Sequence, residues 1–109
     1  MSEVGAWTQV EAVALARAAA LIGIGRRGGQ VLTGLNAVRQ ARDLALIVVE
    51  DSVAAGTRRQ LAGGVGRSAR LLVAASLSEW GAAAGAEGVQ VVGLRRGPLA
   101  SGVLAKIGI

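Results

Sequence analysis

Cysteine, histidine, phenylalanine and tyrosine are all missing from these 109 residues, and proline occurs once. Without cysteine there is no disulfide, no thiolate nucleophile and no cysteine-held metal. Without histidine the commonest imidazole ligand for zinc and the usual Ser-His triad are excluded as well. The only aromatics are Trp7 and Trp80, so the ring platforms on which many single-stranded RNA modules stack bases are lacking. A core must come from Leu, Ile, Val and Ala. Long apolar runs are scarce too: residues 12–24 are interrupted by Arg17 and are too short to span a bilayer. The start has no basic segment leading into such a run, so it does not read as a signal peptide. The expectation is a cytoplasmic protein with no membrane partner. No spaced pair of carboxylates announces acid–base chemistry, and the adjacent Glu50 and Asp51 read as a solvated strand end. Neither catalytic residue, nor metal site, nor cofactor is expected.

What the chain does have is positive charge. Twelve basic residues face seven acidic ones, for a formal net charge of +5. Glu3 and Glu11 fall at the start, so the remainder is more basic still. Eleven of the twelve bases are arginine, with Lys106 the exception. Arginine suits bidentate phosphate or guanine recognition, although an Ala- and Gly-rich composition also fits a genomic bias toward arginine. The balance favours a polyanionic partner. The length suits a single domain over residues 1–109.

Residues 23–29 read GIGRRGG, and Gly23, Gly25 and Gly28 spell GxGxxG. A dinucleotide loop of that pattern must follow a buried strand and open a helix. Here Thr8 and Glu11 form a candidate capping box, and Val10, Val13, Arg17 and Leu21 recur at near-helical spacing, which predicts a helix over residues 9–22. The glycines therefore follow a helix, and Asp43 precedes the next strand rather than ending it. Both facts weigh against a cofactor loop.

Residues 30–32 read as a strand, and Thr33 or Gly34 opens a helix reaching about Ala41, with Leu35 and Val38 inward. Residues 44–49, LALIVV, lack polar alternation, as expected of a strand covered on both faces. A short helix carrying Arg58 and Arg59 follows. Strands are expected at 70–73 and 89–92. Ser76 and Glu79 form a second candidate capping box between them, and a terminal helix is expected at 99–107. Alternating helices and short apolar strands imply an α/β protein, a compact three-layer α/β/α sandwich with a small mixed sheet.

Three blocks in this order, LIGIGRRGGQVLTGLNAVRQA (21–41), LALIVVEDSVAAGTRRQL (44–61) and SEWGAAAGAEGVQVVGLRRGPLASGVL (78–104), resemble the kink-turn-binding ribosomal protein superfamily, especially its bacterial YlxQ-like branch. The resemblance implies that sandwich and an RNA-binding, ribosome-associated role without catalysis. It implies structured RNA, ribosomal RNA in particular, and ribosomal proteins as partners. Gly34 matches the glycine at the helix entrance and Asn36 an asparagine that reads sheared G·A pairs. Ala37 stands where kink-turn binders have glutamate, and Gln40 where they have lysine. These two departures remove a base contact and a phosphate charge. A second RNA-facing loop is matched to Ala74, Ala75, Ser76 and Leu77.

The residues alone supply a physical case for the same region. Free amides after Thr33 and Gly34 favour an anion, and Asn36 carries both a donor and an acceptor for a base edge. Arg26 and Arg27 approach the site along the chain, and Arg39 extends it. The expected RNA site is thus Arg26, Arg27, Thr33, Gly34, Asn36, Ala37, Arg39, Gln40 and Ser76. A protein-interaction or assembly module that keeps the fold is the alternative, and a contiguous apolar surface around Leu77 and Trp80 without a positive groove would favour it.

Overall fold

The computed structural model describes residues 7–109; residues 1–6, and with them Glu3, lie outside the description. The first half of the chain gives β1 (Thr8–Val10), α1 (Ala12–Ala16), α2 (Ala19–Arg27), β2 (Val31–Thr33), α3 (Leu35–Arg39) and β3 (Leu44–Glu50). The second gives α4 (Ala55–Gly63), β4 (Arg70–Ala74), α5 (Ser78–Ala84), β5 (Val91–Arg95) and α6 (Pro98–Ile107). The strands form one mixed sheet in the order β1-β4-β3-β5-β2. β1 and β3 run parallel to β4, whereas β5 is antiparallel to both β3 and β2. Four strands therefore finish at one end of the sheet, called here the exit end, where β5 begins. The other is the entry end.

β3 is central because it is apolar on both sides. Leu46 and Val48 pack beneath Leu15, Ile22, Trp80 and Val103, while Leu44, Ile47 and Val49 face Val38 and Leu61. Ala45 and Leu46 lie on the same side, out of step with strand alternation, and the β3–β5 register shifts between Leu44 and Leu46. This extra residue is a β-bulge. The sheet is thus covered by α1, α2, α5 and α6 on one face and by α3 and α4 on the other, which is the three-layer sandwich that the pattern of helices and strands predicts.

The start of the chain differs from expectation. Residues 8–10 are a strand rather than the first turn of a helix, since Thr8, Gln9 and Val10 pair with Leu72, Val73 and Ala74. Pairing along β4 offsets the local helical spacing, which is a weak determinant over three residues. The remaining pattern is split at Arg17 and Ala18, where Ala18 leaves helical geometry (φ −100°, ψ 3°). Glu11 precedes α1 without any side-chain capping bond, so the first capping box is not formed. The helix also runs on through the glycines to Arg27. Gly25 is there for close packing: a Cβ on it would collide with Leu99 and come within 2.9 Å of Val31. Gly23 and Gly25 are helix-packing residues, and only Gly28 stands at a helix end.

Three other boundaries move. α3 stops at Arg39, β2 is displaced by one residue from 30–32, and β5 starts at Val91 because Val89 belongs to the preceding turn. The second capping box is not formed either: Leu77 precedes α5 without a side-chain capping bond, and the Ser76 hydroxyl instead accepts the Ser78 amide at 3.1 Å. Trp80 is fully buried, and its indole N–H donates to the Leu15 carbonyl at 2.7 Å, tying α5 to α1. Among the described residues no helix is long and apolar enough to cross a membrane.

Candidate nucleic-acid interface

β2 delivers the chain to the exit end, where Gly34 turns it into α3. Gly34 has φ +94° and ψ 153°, a conformation that side chains with a Cβ rarely adopt. Its amide donates to the Val91 carbonyl at 2.8 Å, which fixes the turn to the start of β5. Thr33 ends β2, and Asn36 is exposed on the first turn of α3 while Val38 enters the core. Ala37 is half-buried and Gln40 exposed just after the helix. α3 is only five residues long, so its aligned peptide dipoles sum to little. The Gly34 amide and carbonyl are both taken up within the fold, by Val91 and Val38, so the chemistry of this corner rests on the Asn36 side chain more than on a helix field.

A cleft of about 440 Å³ opens beside this turn. Gly34 and Leu35 form one wall, Ser52, Val53 and Thr57 another, and Gly88 to Val91 the third. The last two walls are contributed by the β3–α4 and α5–β5 turns, which the sequence reading did not assign to the site. The two turns are marked in the chain by EDS at the end of the most apolar strand and by a Gly-rich stretch, GAEGVQ, before β5.

The structure brings together some expected site residues and separates others. Arg39 leans toward α4, where its guanidinium donates to the Gln60 side chain at 2.6 Å. That contact joins Arg39 to the surface carrying Arg58 and Arg59, a pair that the sequence reading left outside the site. Arg26 and Arg27 lie at the C-terminal end of α2, at the entry end of the sheet. The four-residue rise from Gln30 to Gly34 puts about 13 Å between that end and Gly34. Ser76 does reach the exit end, but past β4, three strand spacings or about 14 Å from β2. Glu50 lies between them and serves the fold: its carboxylate accepts the Leu77 amide at 2.9 Å, before the first turn of α5. Leu77 and Trp80 are both buried, so neither contributes to an exposed apolar surface of the kind that would favour an assembly module.

Charge is segregated between the ends. Glu11, Glu50, Asp51, Glu79 and Glu87 occupy the exit end, with Glu79 and Glu87 on the α5 side of it. Arg39, Arg58 and Arg59 stand on the α3–α4 side, next to the cleft. The cleft therefore has Glu50 and Asp51 directly before its Ser52 wall and the arginines along its adjoining α3–α4 side.

The fold and the cleft define a small α/β/α domain with arginines beside the cleft. Solved structures share that fold. A protein of unknown function from Bacillus halodurans superposes with a TM-score of 0.72 at 22% identity, covering 86% of this chain and 99% of the other. The Giardia lamblia 15.5kD RNA binding protein superposes with a TM-score of 0.56 at 15% identity, covering 84% of this chain and 81% of the other. Compared as a sequence, the chain matches no protein-family model and no curated protein.

Proposed function

We propose that the protein binds structured RNA without catalysing a reaction on it. The observation that carries this reading is the open cleft beside Gly34 and Leu35, one residue before the exposed Asn36, in a fold that the Giardia RNA-binding protein shares. The cleft admits an unstacked nucleotide against Leu35, Val53 and Val89. Asn36 offers both hydrogen-bonding senses at the mouth, and Arg39, Arg58 and Arg59 hold phosphates along the adjoining face.

Ribosomal RNA in the cytoplasm is the target class that the YlxQ-like resemblance favours, with ribosomal proteins as neighbours. Ala37 and Gln40 leave the kink-turn contact set incomplete, so discrimination between a kink-turn and a straight duplex is weak. Fluorescence anisotropy with a kink-turn RNA and a matched duplex tests this. Both bind at low salt, and log K falls linearly with log salt. Failure of both RNAs to bind at low salt refutes the reading.

A further inference from the structure

Arg26, Arg27, Arg42, Arg95 and Arg96 are scattered over seventy residues of sequence, yet the topology gathers them at the entry end. The registers of Leu44 with Arg95 and of Val31 with Leu94 place the α2–β2 turn, the α3–β3 connection and the end of β5 side by side. Arg67 and Arg70 enter β4 at the same end, since Arg70 pairs with Leu46. All seven are exposed, and Asp43 is the one carboxylate beside them among the described residues.

The centre of this group is held rigidly. Arg95 donates from Nε to the Gly29 carbonyl at 3.2 Å and from Nη1 to the Arg42 carbonyl at 3.4 Å. Arg96 donates from Nη2 to the Leu44 carbonyl at 3.4 Å. Each guanidinium keeps further donors for a ligand. Because the carbonyls already fix their positions, less side-chain entropy is lost when a ligand binds.

We propose that this arginine pole is a nucleic-acid backbone-binding surface separate from the exit-end cleft. Guanidinium groups spread over three adjacent segments, with strands about 4.8 Å apart, span successive phosphates. A bilayer is the weaker fit. Of the exposed large apolar side chains, Val13, Ile24 and Ile109, only Ile24 lies near these cations, and interfacial binding needs an apolar face to bury. The inference rests on the RNA reading but not on the cleft.

The test compares Arg26→Ala/Arg27→Ala/Arg42→Ala with Asn36→Ala, using an RNA hairpin and, separately, phosphatidylserine vesicles. Arg95 and Arg96 are left in place because they tie backbone segments together. The triple variant is expected to lower the log K–log salt slope by about 2–3, near 0.9 per lost phosphate contact, while Asn36→Ala leaves the slope unchanged. A triple variant with parental affinity and slope overturns the pole, and if Asn36→Ala alone loses affinity the cleft reading still stands. Loss in the triple variant alone supports the pole and removes the cleft. Vesicle binding without hairpin binding by the parent overturns both.

Discussion

Replacing Trp80 tests whether the helical layer over the sheet is as closed as described. The side chain is fully buried among Leu15, Ile22, Leu46 and Ala84. Trp80→Phe removes about 50 Å² of buried apolar surface, worth about 1.3 kcal/mol at roughly 25 cal/mol per Å², and leaves a partial cavity. It also deletes the bond to the Leu15 carbonyl. That carbonyl still accepts the Ala18 amide at 2.9 Å, so it is not orphaned and the loss is near 1 kcal/mol. The expected total is about 2–3 kcal/mol, against a stability of about 5–15 kcal/mol for a domain of this size. Trp80→Ala is expected to cost about 4–5 kcal/mol. Urea unfolding followed by far-UV circular dichroism reads the effect without relying on the tryptophan. With a urea slope of about 1–3 kcal/mol per molar, the Phe variant's midpoint falls by about 0.7–3 M. A shift below about 0.3 M refutes the reasoning and reopens an exposed aromatic surface for protein partners.

Other substitutions separate the fold from the interface. Glu50→Ala leaves the Leu77 amide without its carboxylate acceptor and is expected to cost about 1–3 kcal/mol, measured by the same unfolding experiment. Gly25→Ala gains about 1 kcal/mol of helix propensity but overpacks Leu99 and Val31 by more, so a modest net loss of thermal stability is expected. A large stabilisation would show that α2 does not press on α6. Asn36→Ala, at an exposed position, should unfold within about 0.5 kcal/mol of the parent while weakening RNA binding severalfold. Unchanged binding would remove Asn36 from the site.

The sequence disclosed the parts whose cause is local. β3 was legible because a strand covered on both faces must be apolar throughout; α6 was expected at 99–107 with Pro98 in the turn before it, whereas Pro98 is its first residue and Gly108 closes it. β1 was not legible, since three residues, TQV, are held by pairing with β4 rather than by any preference of their own. The glycine motif was correctly set apart from a strand-to-helix loop, but its packing role depends on Leu99, far along the chain. The same limit applied to the site. Gly34 and Asn36 are neighbours in sequence and stayed together, whereas Arg26 and Arg27 were assigned to that corner by chain proximity. A strand crosses the sheet, so a few residues of separation became opposite ends. The cleft walls from Ser52 and from Gly88 to Val91 required the strand order, which no local pattern encodes.

Segregated charge also governs how the molecule travels before any contact is made. A body with cations at one end and carboxylates at the other experiences a torque in a polyanion's field, so rotational diffusion is biased while the partners are still apart. Collisions that present the arginine pole, rather than the exit-end cleft, become more frequent at low ionic strength, and the bias fades as the screening length contracts to about 8 Å in physiological salt.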